Sequence, residues 1–160
     1  MAGKKEDKTN VCRVLDSKKA VYVFRSFDTE ETNGVALAAI LGQDPQRVFK
    51  TLVTVGKSKE HYVFVIPVCE ELDLKKAAKV VGEKSIEMIP QKELLPLTGY
   101  VHGGCSPIGM KKFFKTTIHE SAKDYETIFF SAGKIGCQIE TSIDELAKVI
   151  RYECADLVQV

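Results

Sequence analysis

At 160 residues, with 44% apolar and 28% charged side chains, the chain has the size and balance of one soluble globular domain, expected to span residues 1–160. Its 23 Lys and Arg nearly cancel its 22 Asp and Glu, leaving a formal charge of +1, so no global field draws it to nucleic acid or membrane and any RNA contact has to be local. No apolar run approaches the roughly 20 residues of a membrane span. The polar start Met1-Ala-Gly-Lys-Lys-Glu-Asp-Lys lacks the apolar stretch of a secretory signal, so a cytoplasmic location is expected.

Val11, Val14, Leu15 and Lys18 recur at helical spacing between Thr9 and Lys19, with Thr9 or Asn10 available to cap the start. Ala20 to Phe27, rich in Val, Tyr and Phe, predicts a short strand, and the polar stretch from Asp28 a loop. Gly34 opens an apolar helix over Val35 to Leu41, stopped by Gly42. Arg47 to Val55 and His61 to Val68 are β-branched and aromatic runs separated by Gly56-Lys-Ser-Lys-Glu, which predicts an antiparallel hairpin. Asp73 can cap a helix from Leu74 to Val81 that Gly82 ends, and Pro90 can start a short one over Gln91 to Leu95.

Between Gly99 and Gly109 stand four glycines and a proline, too many for the interior of an element, so this is a shaped loop. Thr116 to His119, Thr127 to Ser131 and Ile135 to Glu140 read as strands, the last two joined by a turn at Ala132-Gly-Lys-Ile-Gly. Ser142 and Glu145 make a capping box for a helix to Ile150, and Ala155 to Val160 predicts an edge strand. Short strands in antiparallel pairs with helices inserted between them point to an α+β fold, a curled mixed sheet or partial barrel with helices outside.

The five cysteines form an odd set without a C-x-x-C pair, and the histidines are not closely spaced, which argues against both a disulfide framework and a zinc site. Cys69, Cys137 and Cys154 lie in or beside apolar runs, where burial as small inert thiols is expected.

Lys50 is the most unusual residue of the core pattern, because alternation along a strand places it on one face with Val48 and Leu52. It is either a cation at the end of a cleft, anchoring a polar substrate group, or an edge-strand lysine that guards against aggregation. The glycine-rich loop could offer backbone N–H groups to an oxyanion or serve as a structural bend. Gly103-Gly-Cys-Ser-Pro-Ile-Gly matches neither dinucleotide nor P-loop signatures, and no cofactor is expected. His102, Cys105 and Ser106 share the loop without a G-x-S-x-G elbow or a placeable base, which disfavours covalent catalysis. His61 and His119 flank strands and read as surface or cap residues. Lys111-Lys-Phe-Phe-Lys115 combines three charges with two aromatics, which suits phosphate contact with stacking on a base and equally suits solvated lysines beside two core phenylalanines. Lys75, Lys76 and Lys79 read as a plain helix face.

Read together, Arg47-Val-Phe-Lys-Thr-Leu-Val, Leu72-Asp-Leu-Lys-Lys-Ala-Ala-Lys, Ile86-Glu-Met, Leu97-Thr-Gly-Tyr-Val-His-Gly-Gly-Cys-Ser-Pro-Ile-Gly-Met-Lys-Lys and Ser131-Ala-Gly-Lys-Ile-Gly resemble the YbaK family. The match is close to its cysteinyl-tRNA(Pro) deacylase branch and runs from about Thr9 to Asp156 in the family's order. The resemblance implies an editing domain similar to that inserted in bacterial prolyl-tRNA synthetases, with a mixed, largely antiparallel, barrel-like sheet surrounded by helices. It implies a task as well. Cysteine and proline are close in size, a pocket rejects a near-isostere weakly, and a second, hydrolytic site acting in trans removes the error.

Carried over on the same resemblance, Lys50 matches the family's essential lysine, and Gly103, Gly104, Cys105, Ser106, Pro107 and Gly109 its substrate loop. Phe27, Asn33, Ser131, Gly133 and Gln138 fall at or beside pocket positions, and Lys134 joins Lys111, Lys112 and Lys115 as candidates for tRNA contact. In this family the substrate's own thiol is thought to attack its ester carbonyl, so the enzyme needs neither nucleophile nor metal. Departures from the family pattern are Ile135 where several members have Arg, Gln138 for Asp, and Asn33 for a pocket phenylalanine. The implied substrate is Cys-tRNA(Pro), with Cys-tRNA(Cys) next and prolyl-tRNA synthetase as partner in a ternary complex. The competing readings are a non-catalytic tRNA- or synthetase-binding module and an editor of alanine or serine.

Overall fold

The structure, a computed structural model, describes residues 8–160. The polar start before Lys8, read above for the lack of a signal segment, lies outside the described residues. Helix α1 (Asn10–Ser17) begins where Thr9 caps it, the Thr9 hydroxyl accepting the Cys12 N–H, and it buries Val11, Cys12 and Leu15. Strand β1 (Val23–Ser26) leads through the polar loop to α2 (Gly34–Leu41), capped by Asn33 and closed by Gly42 in the left-handed region at φ +68°. The hairpin forms as predicted from β2 (Phe49–Gly56) and β3 (His61–Pro67), with Lys50 opposite Ile66. Helix α3 (Leu74–Val81) starts on the Asp73 carboxylate and stops at Gly82.

The three-residue strand β4 (Ile86–Met88), absent from the sequence prediction, pairs antiparallel with the end of β2. Pro90 opens a single 3₁₀ turn before α4 (Leu94–Thr98). After the glycine loop come β5 (Lys115–His119), β6 (Ile128–Ser131), β7 (Cys137–Thr141), the short α5 (Ile143–Leu146) and β8 (Tyr152–Ala155).

Two sheets result, one ordered β1-β7-β6 and the other β4-β2-β3-β5-β8. A parallel bridge between Val48 and Phe129 stitches them together, giving a mixed, barrel-like wall that is not closed. The main core lies between the sheets under α1 and includes Leu15, Phe49, Val63, Val65, Ile118, Phe130 and Ile139. Phe64 and Ile66 point the other way, into a second cluster beneath α3 with Leu72, Ala77 and Leu157. Strand β3 is therefore buried on both faces, which is why it reads as a continuous apolar run. Each such side chain contributes about 1.5–3 kcal/mol of transfer free energy.

The sheets are mixed and largely antiparallel as expected, with β3–β5 and β5–β8 the parallel pairs, because the intervening helices and the long loop return the chain to the same end. Several element boundaries need correction. The last strand is Tyr152–Ala155 rather than 155–160, and beyond it only a bridge between Leu72 and Val158 forms. The helix expected to reach Ile150 ends at Leu146. Only half of the capping box is present, since Ser142 accepts the Glu145 N–H while the Glu145 carboxylate is drawn to the Val21 N–H at 2.6 Å.

Cys137 is buried as expected, but Cys154 is half-buried and Cys69 exposed, the latter because β3 ends at Pro67, before it. His119 is buried rather than on the surface, and its Nδ1 accepts the Leu157 N–H at 3.2 Å, tying β5 to the C-terminal segment. Among the described residues no helix is long and apolar enough to cross a membrane.

Candidate active site

Beside the Val48–Phe129 bridge, where the two sheets part, opens a cavity of about 330 Å³. Strand β2 supplies Lys50, Thr51 and Leu52; β6 and β7 supply Phe130, Ser131 and Gln138; Phe27, the start of α2 and the loop residues His102, Gly103 and Cys105 close it.

Lys50 is half-buried on this wall. At Lys50 strand β2 pairs with β3 alone, since β4 reaches only Thr54–Gly56 and the Phe129 bridge only Val48, but the lysine lines the cavity and not an open sheet edge. No carboxylate pairs with it, and no hydrogen bond engages its ammonium, among the described residues. A half-buried cation without an acidic partner is free to bind a polar or anionic group that enters the cavity. The one carboxylate among the described lining residues, Glu31, is occupied in part by the Asn33 N–H at 3.0 Å.

Asn33 lines the cavity, yet its side-chain oxygen accepts the Ala36 N–H at 2.9 Å and so serves chiefly to cap α2. The N–H groups of Gly34, Val35, Gly103 and Cys105, all on lining residues, have no acceptor among the described residues. Together with the ammonium they place several donors on the cavity wall, where Glu31 is the one carboxylate among the described residues.

Glycine makes the close approaches possible. Gly103 has φ +88°, and a methyl group there would lie 2.6 Å from Thr32 Cγ2. At Gly104 a methyl group would lie 3.1 Å from the Ile135 backbone nitrogen, so the 103–109 loop is packed directly on the 132–136 turn. Ser131 lines the cavity and its hydroxyl accepts the Gly133 N–H at 3.0 Å, while Gly133 itself stands behind the wall against Tyr100 and Val11.

Gln138 is almost completely buried, and its amide forms a reciprocal pair with Gln43 at 2.8 and 2.9 Å. Ile135 stands partly exposed on the turn that Gly104 touches.

Four loop candidates fall outside the cavity wall, Gly104 being packed on the 132–136 turn. Ser106 is fully buried, its hydroxyl accepting the Ile108 N–H at 3.3 Å, and Pro107 and Gly109 border a second hollow. Lys111, Lys112, Lys115 and Lys134 are exposed and none lines the cavity. Lys115 sits 3.5 Å from Glu153, and Lys134 lies where the turn meets Gly104.

Sequence reasoning missed Glu31, Gln43 and Thr51. The Thr51 hydroxyl is buried with no partner, adjacent in the chain to Lys50. No local signal announces Gln43, whose partner is 95 positions away.

The chemistry available follows from what is present. Burial pushes the Cys105 thiol up to about 12, so it stays protonated and is a poor nucleophile at neutral pH. The hydrogen bond recorded for the Ser131 hydroxyl is to the Gly133 N–H and not to a base. Among the described residues no three His, Cys, Asp or Glu side chains converge as a metal site. The arrangement can hold a polar, electron-rich group and stabilise negative charge as it develops.

A family model for the aminoacyl-tRNA editing domain matches residues 30–149, which include the whole cavity wall except Phe27. A protein of Enterococcus faecalis, EbsC, named as a candidate Cys-tRNA(Pro)/Cys-tRNA(Cys) deacylase, is 44% identical over 160 residues, covering 98% of each chain. Among solved structures, the hypothetical protein APE2540 superposes with a TM-score of 0.87 at 19% identity, over 94% of this chain and 100% of that one. A candidate trans-editing enzyme for prolyl-tRNA synthetase does so with a TM-score of 0.79 at 22% identity, over 96% and 100%. These two show a shared fold, and the domain match and the full-length relative show more: the chain belongs to the aminoacyl-tRNA editing domain family.

Proposed function

We propose that this protein is a deacylase that removes cysteine from tRNA, Cys-tRNA(Pro) first and Cys-tRNA(Cys) second, with Lys50 as its catalytic residue. The observation that carries the reading is the unpaired Lys50 ammonium in a donor-lined cavity that brings no activated nucleophile of its own. The name of the 44% identical relative supports the same substrate.

The missing nucleophile then comes from the ligand. The cysteinyl sulfur attacks its own ester carbonyl, a C–S bond forms and the bond to the ribose oxygen breaks. The thiol proton ends on that oxygen, and the released cyclic thiolactone opens in water. Because the attack is intramolecular, holding the thiol in a near-attack geometry replaces much of what a side-chain nucleophile would supply. Lys50 and the free N–H groups of Gly103 and Cys105 bind the carbonyl oxygen as it gains charge. Phe27, Ser131 and Gln138 shape the space for the small side chain, and Gly104 and Gly133 keep the two turns close enough to do so.

With a net charge of +1 the protein has little long-range pull on tRNA. A ternary complex with prolyl-tRNA synthetase, in the cytoplasm where charging occurs, would supply the selection of the RNA.

The test is deacylation of a panel of tRNAs charged with cysteine, alanine, serine or 2-aminobutyrate, with chelator and with or without synthetase. Cysteinyl esters are expected to be cleaved and the thiol-free esters spared. Equal cleavage of alanyl or seryl esters overturns the thiol mechanism, and binding without cleavage of any ester overturns the enzyme reading.

A further inference from the structure

Where the glycine loop passes from Cys105 on the cavity wall to Pro107, it borders a second hollow of about 110 Å³ walled by Pro107, Met110, Phe113, Phe114, Val149 and Ile150. The two phenylalanines that adjoin in sequence have different fates here. Phe114 is buried, its ring 5.6 Å from that of His61, whereas Phe113 leaves 54% of its surface exposed at the hollow. The chain segments that make the wall are one-sided in charge. Residues 107–116 carry Lys111, Lys112 and Lys115 and no acid, and residues 147–152 carry Lys148 and Arg151 and no acid.

All five basic residues are exposed. Acids reach two of them, Glu153 at 3.5 Å from Lys115 and Glu145 at 2.9 Å from Lys148, while Lys112 and Arg151 have no acidic partner among the described residues. In a protein with almost no net charge this is a local concentration of cations around an exposed aromatic ring.

We infer that this hollow is a binding site for an unpaired nucleobase of the single-stranded end of the tRNA, stacked on Phe113 with its phosphates held by Lys112 and Arg151. An open ring face accepts any base, and flanking cations without acidic partners suit a phosphodiester chain. The location agrees. Cys105, on the cavity wall, and Pro107, on the wall of the hollow, are two residues apart, so at most about 7 Å separates their Cα atoms. One loop would thus hold both the terminal aminoacyl group and a preceding nucleotide. The inference rests on the deacylase reading for its ligand, and its test is separable from that reading.

The probe is an oligoribonucleotide matching the single-stranded 3′ end of tRNA, with 2-aminopurine replacing one upstream base at a time. Binding to the wild type is expected to quench 2-aminopurine at one position. Phe113→Ala should abolish that quench and weaken binding about 5- to 150-fold, and Phe113→Tyr should keep both. Lys112→Gln should lower the slope of log affinity against log salt by about 0.7.

In turnover, Phe113→Ala should raise KM for charged tRNA at unchanged kcat, and leave cleavage of an aminoacyl ester of adenosine alone unaltered. No quench at any position, or binding by Phe113→Ala equal to wild type, overturns the site whether or not the protein deacylates. A position-specific quench lost in Phe113→Ala supports the site even if no ester is cleaved, in which case the deacylase reading fails alone.

Discussion

The side-chain amides of Gln43 and Gln138 face each other head to head, each donating to and accepting from the other at 2.8 and 2.9 Å. Gln138 is only 5% exposed, so its amide depends on Gln43, which follows the C-cap of α2, to offset desolvation. Gln43→Leu strands the buried Gln138 amide and is expected to cost about 1–3 kcal/mol. Replacing both residues by leucine should cost less than the sum of the single changes, because no polar atom is then left unsatisfied. Urea unfolding of the four proteins of the cycle measures this, and strict additivity would show that the pair is not coupled.

Two glycines separate close packing from backbone strain. Gly42 has φ +68° and nothing within 4 Å of a Cβ, so Gly42→Ala should cost about 1–2 kcal/mol of stability and spare activity. Gly104→Ala pushes a methyl group against the Ile135 nitrogen at 3.1 Å and the Lys134 backbone at 3.3 Å, which separates the loop from the turn at the cavity. The expected result is a fall in kcat/KM of about 10-fold or more, as reacting groups lose their alignment. Steady-state kinetics beside thermal melts of both variants tests the contrast.

Cys105 lines the cavity with a thiol that burial holds protonated, so it should be a bystander. Cys105→Ala is expected to retain kcat within a few-fold. In the wild type at pH 7, alkylation followed by mass spectrometry should label exposed Cys69 well before Cys105. Loss of all turnover in Cys105→Ala with a native melt would make the thiol a participant.

On the sheet face that also carries Gln138, Glu140 accepts hydrogen bonds from Thr127 at 2.6 Å and Arg25 at 2.7 Å, with Arg47 at 3.5 Å and stacked over Phe129. The Thr127 hydroxyl foremost, then the Arg25 and Arg47 guanidinium groups, hold the Glu140 carboxyl below its ordinary value against a desolvation effect that opposes them. A carboxyl whose pKa is lowered on folding adds stability above its unfolded pKa, about 4.3, and loses it as pH falls through the lower folded value. Glu140→Gln should therefore melt a few degrees below wild type at pH 7, and the gap should close as pH drops from about 5 toward 3. A gap independent of pH would mean that charge at Glu140 does not contribute.

Local signals carried the elements that are punctuated within their own sequence. Asp73 and Gly82 bound α3 as they bound its predicted span, and the Gly56 turn joins β2 to β3. What depended on distant partners was not legible. Ile86–Met88 is too short to show a period, and the parallel placement of β5 beside β3 and β8 is decided by how the chain returns, not by any residue within the strands. The alternation that put Lys50 with Val48 and Leu52 could not say whether that face met solvent or a cavity; the neighbouring sheet decides it. Motif membership likewise overstated contact, since Ser106 serves the loop from within by accepting the Ile108 N–H.

The central claim is that the unpaired Lys50 ammonium stabilises the charge that forms when the ligand's thiol attacks its own ester. Single-turnover cleavage of Cys-tRNA by wild type and Lys50→Ala, with unfolding curves recorded on the same preparations, tests it most directly. The account predicts a fall in rate of about 10²–10³-fold at undiminished stability, because the variant removes a half-buried cation that no acid balances among the described residues. Cleavage within a few-fold of wild type by a natively folded Lys50→Ala would contradict it.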